Sequence, residues 1–258
     1  MIDVLRSRLL ELDRVAVAFS GGADSAFLAW VANDTLGAGR VLAVTAISPS
    51  LAAEEAADCA ALAEEWGLRW SPVDTDELAR PDYVANGTDR CFHCKTELMD
   101  AVGPLAAAEG ATVVLGVNVD DLGDHRPGQQ AAGERGAVFP LVDAGFTKAA
   151  VREASRRLGL RTWDKPAAAC LASRLPYGTA VTLSTLTGVG RAEAALHRLG
   201  FRQVRVRHHG EVARVEVELA ELPAVVDRRE DVVAAVKAAG YRWVTVDLEG
   251  FRSGNLNP

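Results

Sequence analysis

The chain has 258 residues, 49% of them hydrophobic, and a formal net charge of -7. That length suits one large α/β domain with a small appendix, and the acidic balance argues against broad contact with a nucleic-acid backbone while leaving room for a local basic pocket. No apolar run approaches the ~18 residues of a membrane span, and the opening MIDVLRSRLLELD mixes charges of both signs through its apolar positions, unlike a signal peptide; a cytoplasmic protein without membrane contact is expected.

The first strong element is the apolar run VAVAF at 15–19, which enters Ser20-Gly21-Gly22-Ala23-Asp24-Ser25 and then a helical pattern over 25–36. Strand, glycine pair and helix together make an anion site: glycines let backbone approach the ligand, and free N–H groups with the helix dipole face its charge. Ser20 and Ser25 add hydroxyl donors. Asp24 would repel phosphate unless a divalent cation, naturally magnesium, lies between them. The run lacks the Gly-Lys-Ser/Thr of a Walker loop and the third glycine of a dinucleotide loop. A plain strand-to-helix turn with a Ser or Asp cap is the simpler alternative.

Further strands are expected at 41–47, 69–73 and 112–116, alternating with helices over 51–66, 95–109 and 147–158. That order predicts a doubly wound parallel sheet. Cys59 lies in an amphipathic helix and reads as a core cysteine. Cys91 and Cys94, in RCFHCKTEL, stand at a helix start where the dipole, Arg90 and Lys95 favour the metal-binding thiolate. With Cys170, in DKPAAACLASRLPYGT, they make three thiolates, enough to hold a 4Fe-4S cluster with one iron left open; a zinc site of the same cysteines with His93 competes.

The stretch GVNVDDLGDHRPG follows a strand and so falls at the carboxyl edge of the sheet, where open α/β sheets bind ligands. Gly116 would admit an adenine against backbone. Asp120, Asp121 and Asp124 compete for a magnesium or activating role, and Arg126 suits a phosphate or carboxylate. A long acidic surface loop is the alternative.

From 183 the texture changes to a helix reaching 199, the stretch FRQVRVRHHGEVARVEVEL, a helix at 224–239 and YRWVTVDLEG. Residues 213–219 alternate apolar with charged side chains, as a half-buried, usually antiparallel strand does. A small α+β domain over 177–258 is therefore expected after a domain over 1–176. Arg205, Arg207 and His209 share one strand face, a pattern that commonly marks a solvated surface.

The run from Ser20 to Ser25 resembles the SGGxDS loop of the PP-loop ATP pyrophosphatases, a HUP-like, adenine nucleotide alpha hydrolase-like superfamily that grips the β- and γ-phosphates of ATP and releases pyrophosphate. RCFHCKTEL, GVNVDDLGDHRPG and DKPAAACLASRLPYGT narrow the resemblance to the LarE family, sulfur transferases that build the nickel-pincer cofactor of lactate racemase. The resemblance implies that ATP, with magnesium, adenylates a carboxylate of pyridinium-3,5-biscarboxylic acid mononucleotide, and that a sulfur nucleophile then displaces AMP to leave a thiocarboxylate. One type within the family sacrifices the sulfur of a single cysteine, corresponding to Cys170, while another has three cysteines and a cluster; this sequence has all three.

Carried onto this chain, the resemblance implies chemistry at Cys170, Asp24, Ser173, Arg174 and Glu193, and nucleotide or substrate contacts from Ser20, Gly21, Gly22, Asp24, Ser25, Gly116, Asp121, Arg126, Arg205 and Arg207. It assigns the cluster to Cys91, Cys94 and Cys170, and it implies an external sulfide donor and a hexameric homo-oligomer. A tRNA thiolase shares the loop, but the acidic charge and the lack of a basic appendage count against it. A nucleotide-sensing or metal-storing protein without turnover is the reading from another class.

Overall fold

The computed structural model describes residues 1–123, 127–166 and 169–252. In chain order its elements are α1 (Ile2–Leu12), β1 (Val15–Ala18), α2 (Ala23–Leu36), β2 (Val41–Ile47), α3 (Ala53–Glu65), β3 (Trp70–Asp74), α4 (Pro81–Val84), α5 (Arg90–Ala108), β4 (Thr112–Leu115), α6 (Pro127–Glu134), α7 (Pro140–Asp143), α8 (Lys148–Arg157), α9 (Leu183–Arg198), β5 (Val204–His209), β6 (Val212–Val217), α10 (Leu222–Asp227), α11 (Arg229–Ala238) and β7 (Trp243–Val246). No helix among the described residues is long and apolar enough to cross a membrane.

Two compact units emerge. The first gathers Met1–Ser48, Glu54–Arg80 and Asp89–Ala168, and the second Pro49–Ala53, Pro81–Thr88 and Ala169–Pro258. The division thus falls at 169 rather than at 177, and two short inner segments join the later one. Backbone partners explain this: the Leu171 N–H donates to the Ser50 carbonyl at 2.8 Å, and the buried Asn86 amide donates to the carbonyls of Pro176 and Thr179, each at 2.9 Å.

In the first unit four parallel strands lie in the order β3-β2-β1-β4. Successive side chains of a strand point to opposite faces, so Val15 and Val17 pack with α1, α2 and α3 on one side. Ala16 faces Leu98, Met99 and Val102 of α5 on the other. Helices on both faces make this the doubly wound sheet that the alternating pattern predicts. Pro72 is tolerated because β3 is an edge strand with no further neighbour to receive its missing N–H. From β1 the chain steps outward through β2 to β3 and then crosses back to place β4 on the other side of β1, and such a switch point opens a crevice at the strands' carboxyl ends.

The second unit is built around α9, which starts with a capping box between Thr182 and Thr185. It also contains a three-stranded sheet in the order β5-β6-β7. β5 and β6 form the antiparallel hairpin, while β7 adds parallel to β6. The helix expected at 224–239 is broken at Arg228, whose φ of -104° and ψ of 25° leave the helical region.

Candidate functional site

The loop after β1 has the geometry its glycines foretell. Gly21 has φ +68°, a left-handed conformation open to glycine, and a Cβ there would meet the Cys59 Sγ at 2.9 Å. Cys59 is buried in the core as expected, and burial pushes its thiol pKa up. Gly22 caps α2 with extended backbone. Among the described residues the N–H groups of Gly22, Ala23 and Asp24 find no hydrogen-bond partner, the state in which a helix start can receive an anion. Ser25 turns inward: its hydroxyl accepts the Ser20 N–H at 3.2 Å, donates to the Gly22 carbonyl at 3.2 Å and lies 3.0 Å from the Ser20 hydroxyl. It braces the loop, while Ser20 is exposed.

Asp24, in the first turn of α2, has a buried Oδ1 without a hydrogen-bond partner among the described residues. Its pKa is raised chiefly by burial and further by the Asp121 charge, against opposing pulls from Lys148, the neighbouring Asn118 amide and Arg152. An orphaned carboxylate oxygen beside a second carboxylate fits magnesium, which takes one or two protein carboxylates and completes its shell with phosphate and water. Lys148 and Arg152, one turn apart on α8, escape sequence reading because an amphipathic helix normally sends such residues to solvent.

The three competing aspartates separate. Asp120 caps α8, its Oδ2 accepting the Lys148 N–H at 2.8 Å. Asp121 is buried, accepts the Asn118 N–H at 3.1 Å and is the one whose charge reaches Asp24. Asp124 and Arg126 lie outside the described residues.

What Gly116 admits is protein backbone. A Cβ there would stand 2.7 Å from the Ser25 nitrogen and 2.9 Å from the Asp24 carbonyl carbon, so its lack of a side chain lets the end of β4 press against the start of α2. Gly116→Ala is expected to cost roughly 1–3 kcal/mol of stability, read as melting temperature. Unchanged melting would refute this account.

Cys91 is exposed and Cys94 half-buried in the opening turns of α5, three residues apart and so on one helix face. The Cys94 thiol points to the buried Glu77 carboxylate at 3.9 Å. Gly128 of α6 lets that helix close on this turn, since a Cβ there would meet the Cys91 carbonyl oxygen at 3.0 Å. His93 bonds Asp89 at 3.2 Å rather than turning toward the cysteines. No group of three His, Cys, Asp or Glu side chains able to hold a metal forms among the described residues.

In the second unit Cys170 precedes the 3-10 turn Leu171–Arg174 and is half-buried. Arg174 is buried and spends its donors inside the protein. Nε and Nη2 form a fork on Glu193 at 2.9 Å each, and Nη1 reaches the carbonyls of Ala169 at 2.7 Å and Cys170 at 3.2 Å and the Ser173 hydroxyl at 3.0 Å. Glu193 is 6% exposed and also accepts the Val206 N–H at 2.8 Å.

The arginines of β5 are likewise buried, not solvated. Arg207 pairs with the fully buried Glu216 at 2.9 Å and donates to the Ser173 carbonyl at 2.9 Å. Arg205 has no carboxylate ion pair among the described residues. Its guanidinium lies 4.4 Å from the centre of the Phe251 ring, and its Nε is buried without a partner among the described residues. Burial, with Arg174 and Arg207 nearby, lowers its pKa to about 10. His209, on the same strand face, is exposed. Arg174 and Arg207 therefore clamp the Cys170 turn, and besides the Arg205 Nε the Arg207 Nη2 is also buried without a hydrogen-bond partner among the described residues.

Comparison with known proteins places these features in context. Residues 2–88 match the model of the NAD synthase family. An uncharacterised protein of Synechocystis is 47% identical over 99% of this chain and 96% of its own length. The pyridinium-3,5-bisthiocarboxylic acid mononucleotide synthase of Lactiplantibacillus plantarum is 39% identical over 98% of this chain and 92% of its own. An uncharacterised protein of Methanocaldococcus jannaschii is 23% identical over 93% of this chain.

Proposed function

Because the chain belongs to the LarE family of sulfur transferases, we propose that it adenylates a carboxylate of pyridinium-3,5-biscarboxylic acid mononucleotide with ATP and converts it to a thiocarboxylate. The observation that carries the reading is the anion loop from Ser20 to Ser25, with its unpartnered N–H groups and the orphaned carboxylate of Asp24, in a chain similar along nearly its whole length to a synthase of that product class.

In the first step a substrate carboxylate oxygen attacks the α-phosphorus of ATP, and the bond to pyrophosphate breaks. The loop N–H groups and the exposed Ser20 hydroxyl receive the leaving charge, an electrostatic task done by donors already in place. Magnesium, when bound, would be held by Asp24 with Asp121 behind it and would neutralise phosphate charge. In the second step a sulfur nucleophile forms a bond to the acyl carbon while the carbon–oxygen bond to AMP breaks. Cys170 is the residue assigned to that step, with Arg174, Ser173 and Glu193 holding its turn. Arg205 would receive the substrate's phosphate.

The 4Fe-4S assignment to Cys91, Cys94 and Cys170 rests on the sequence, and no step above passes through it. A sulfide donor, a homo-oligomeric hexamer and a role in maturing lactate racemase belong to the same proposal, as does the absence of a nucleic-acid partner. The decisive measurement is pyrophosphate release. Adding ATP and the pyridinium mononucleotide to folded protein is expected to release pyrophosphate, with sulfur entering the substrate when sulfide is supplied. Release driven by tRNA instead, or by neither, would overturn the reading.

A further inference from the structure

The stretch DKPAAACLASRLPYGT that contains Cys170 carries, at its second position, a lysine that none of the steps above uses. Lys165 follows the turn after α8, and its side chain is only 16% exposed. Its Nζ donates to the Gly21 carbonyl at 3.1 Å and to Asp58 at 2.6 Å, and it pairs with Glu55 at 2.8 Å, both acids lying on α3. The backbone on either side is fixed too. Arg152 donates to the Lys165 carbonyl at 3.0 Å, and Arg161 pairs with Asp58 at 2.7 Å and Glu65 at 2.7 Å.

We propose that Lys165 is a positioning residue for the ATP-binding loop, acting through the Gly21–Gly22 peptide. The argument rests on the reading that the loop receives the pyrophosphate part of ATP. A peptide unit is planar and trans, so its C=O and N–H point in opposite directions. Gly21, with φ +68° and no side chain, stands where the backbone is least able to hold one orientation by itself. Fixing the Gly21 carbonyl on a lysine anchored by two carboxylates therefore aims the Gly22 N–H away from Lys165, into the space where the loop's other N–H groups gather. The Gly21 carbonyl and Asp58 take hydrogen bonds from Nζ and Glu55 pairs with its charge at 2.8 Å, so Lys165 is held against the loop backbone and acts through it.

The test compares nucleotide affinities of the full-length protein by equilibrium titration with ATP and with AMP, which lacks the pyrophosphate part. Lys165→Met is expected to weaken ATP about tenfold, the order of one lost hydrogen bond to a charged group, while AMP affinity and the KM for the pyridinium substrate stay within about twofold. Lys165→Met alone leaves the Glu55 carboxylate without its cation and the Asp58 carboxylate with Arg161 alone, and risks misfolding. The combined variant Glu55→Gln, Asp58→Asn, Lys165→Met removes them and isolates the carbonyl tether. The same tenfold loss for ATP alone in the combined variant supports the proposal. ATP affinity equal to wild type there means that Lys165 merely neutralises its neighbours, and the proposal fails. Wild-type protein that binds no ATP removes the premise, and the proposal falls with it.

Discussion

Asp24→Asn is expected to abolish pyrophosphate release, by about 10²-fold or more, and at the same time to raise rather than lower the melting temperature of the ligand-free protein. Both outcomes come from the same atoms. Burial is the largest influence on the Asp24 carboxyl and raises its pKa, so the folded state is penalised for carrying the charge. The sign follows from linkage. A carboxyl whose folded pKa lies above its unfolded one destabilises the fold above the folded pKa, and the penalty fades as pH drops toward the unfolded value. The gain from Asn should accordingly be largest near neutral pH and shrink on mild acidification. Melting curves across that range, beside pyrophosphate assays with and without magnesium, check both halves. An Asn variant that is less stable at neutral pH, or that still releases pyrophosphate at the wild-type rate, would sink the account. Such a trade, stability given up for a charge held where a ligand needs it, is common at working sites.

Cys170→Ala is expected to separate the two proposed steps. Sulfur transfer should disappear, while adenylation stays within about threefold of wild type, because the loop from Ser20 to Ser25 contains none of the groups that hold Cys170. The clamp on this turn, Arg174 on the Ala169 and Cys170 carbonyls and Arg207 on that of Ser173, works through backbone, so the fold should tolerate the change. Loss of both steps in a folded variant would mean that Cys170 serves the nucleotide as well. Anaerobic purification and protein mass before and after turnover of the wild type add the source of the sulfur. About four iron atoms per chain with Cys170 intact would support the cluster, whereas loss of hydrogen sulfide from Cys170 would support sacrifice of its own sulfur.

Much of the first unit can be read from the sequence, because its signals are local. Val15, Val17, Val41 and Ala43 announce buried strands, and Gly21 and Gly22 announce a loop whose chemistry is mostly backbone. The second unit resists such reading for a physical reason. Glu193, Arg205 and Arg207 look like surface residues by type and spacing, and only partners on other elements make their burial tolerable: Arg174 for Glu193, Glu216 on the neighbouring strand for Arg207 and the Phe251 ring for Arg205. Lys165 escapes for the same reason, since its role depends on a carbonyl 144 residues earlier. At Gly116 the sequence suggests room for an adenine, whereas what presses on it is the backbone of Asp24 and Ser25, a neighbour that spacing does not announce.

The interleaving of the two units bears on the order in which they can be completed on the ribosome. Asn86 and Ser50 emerge early, yet the groups they serve, the carbonyls of Pro176 and Thr179 and the N–H of Leu171, are made some ninety or more residues later. Segments 49–53 and 81–88 therefore wait as unfinished loops while the sheet around β1 is assembled. A fragment stopped before residue 169 keeps those loops without their partners, and one started there lacks them altogether, so the second unit closes only when nearly the whole chain has been synthesised.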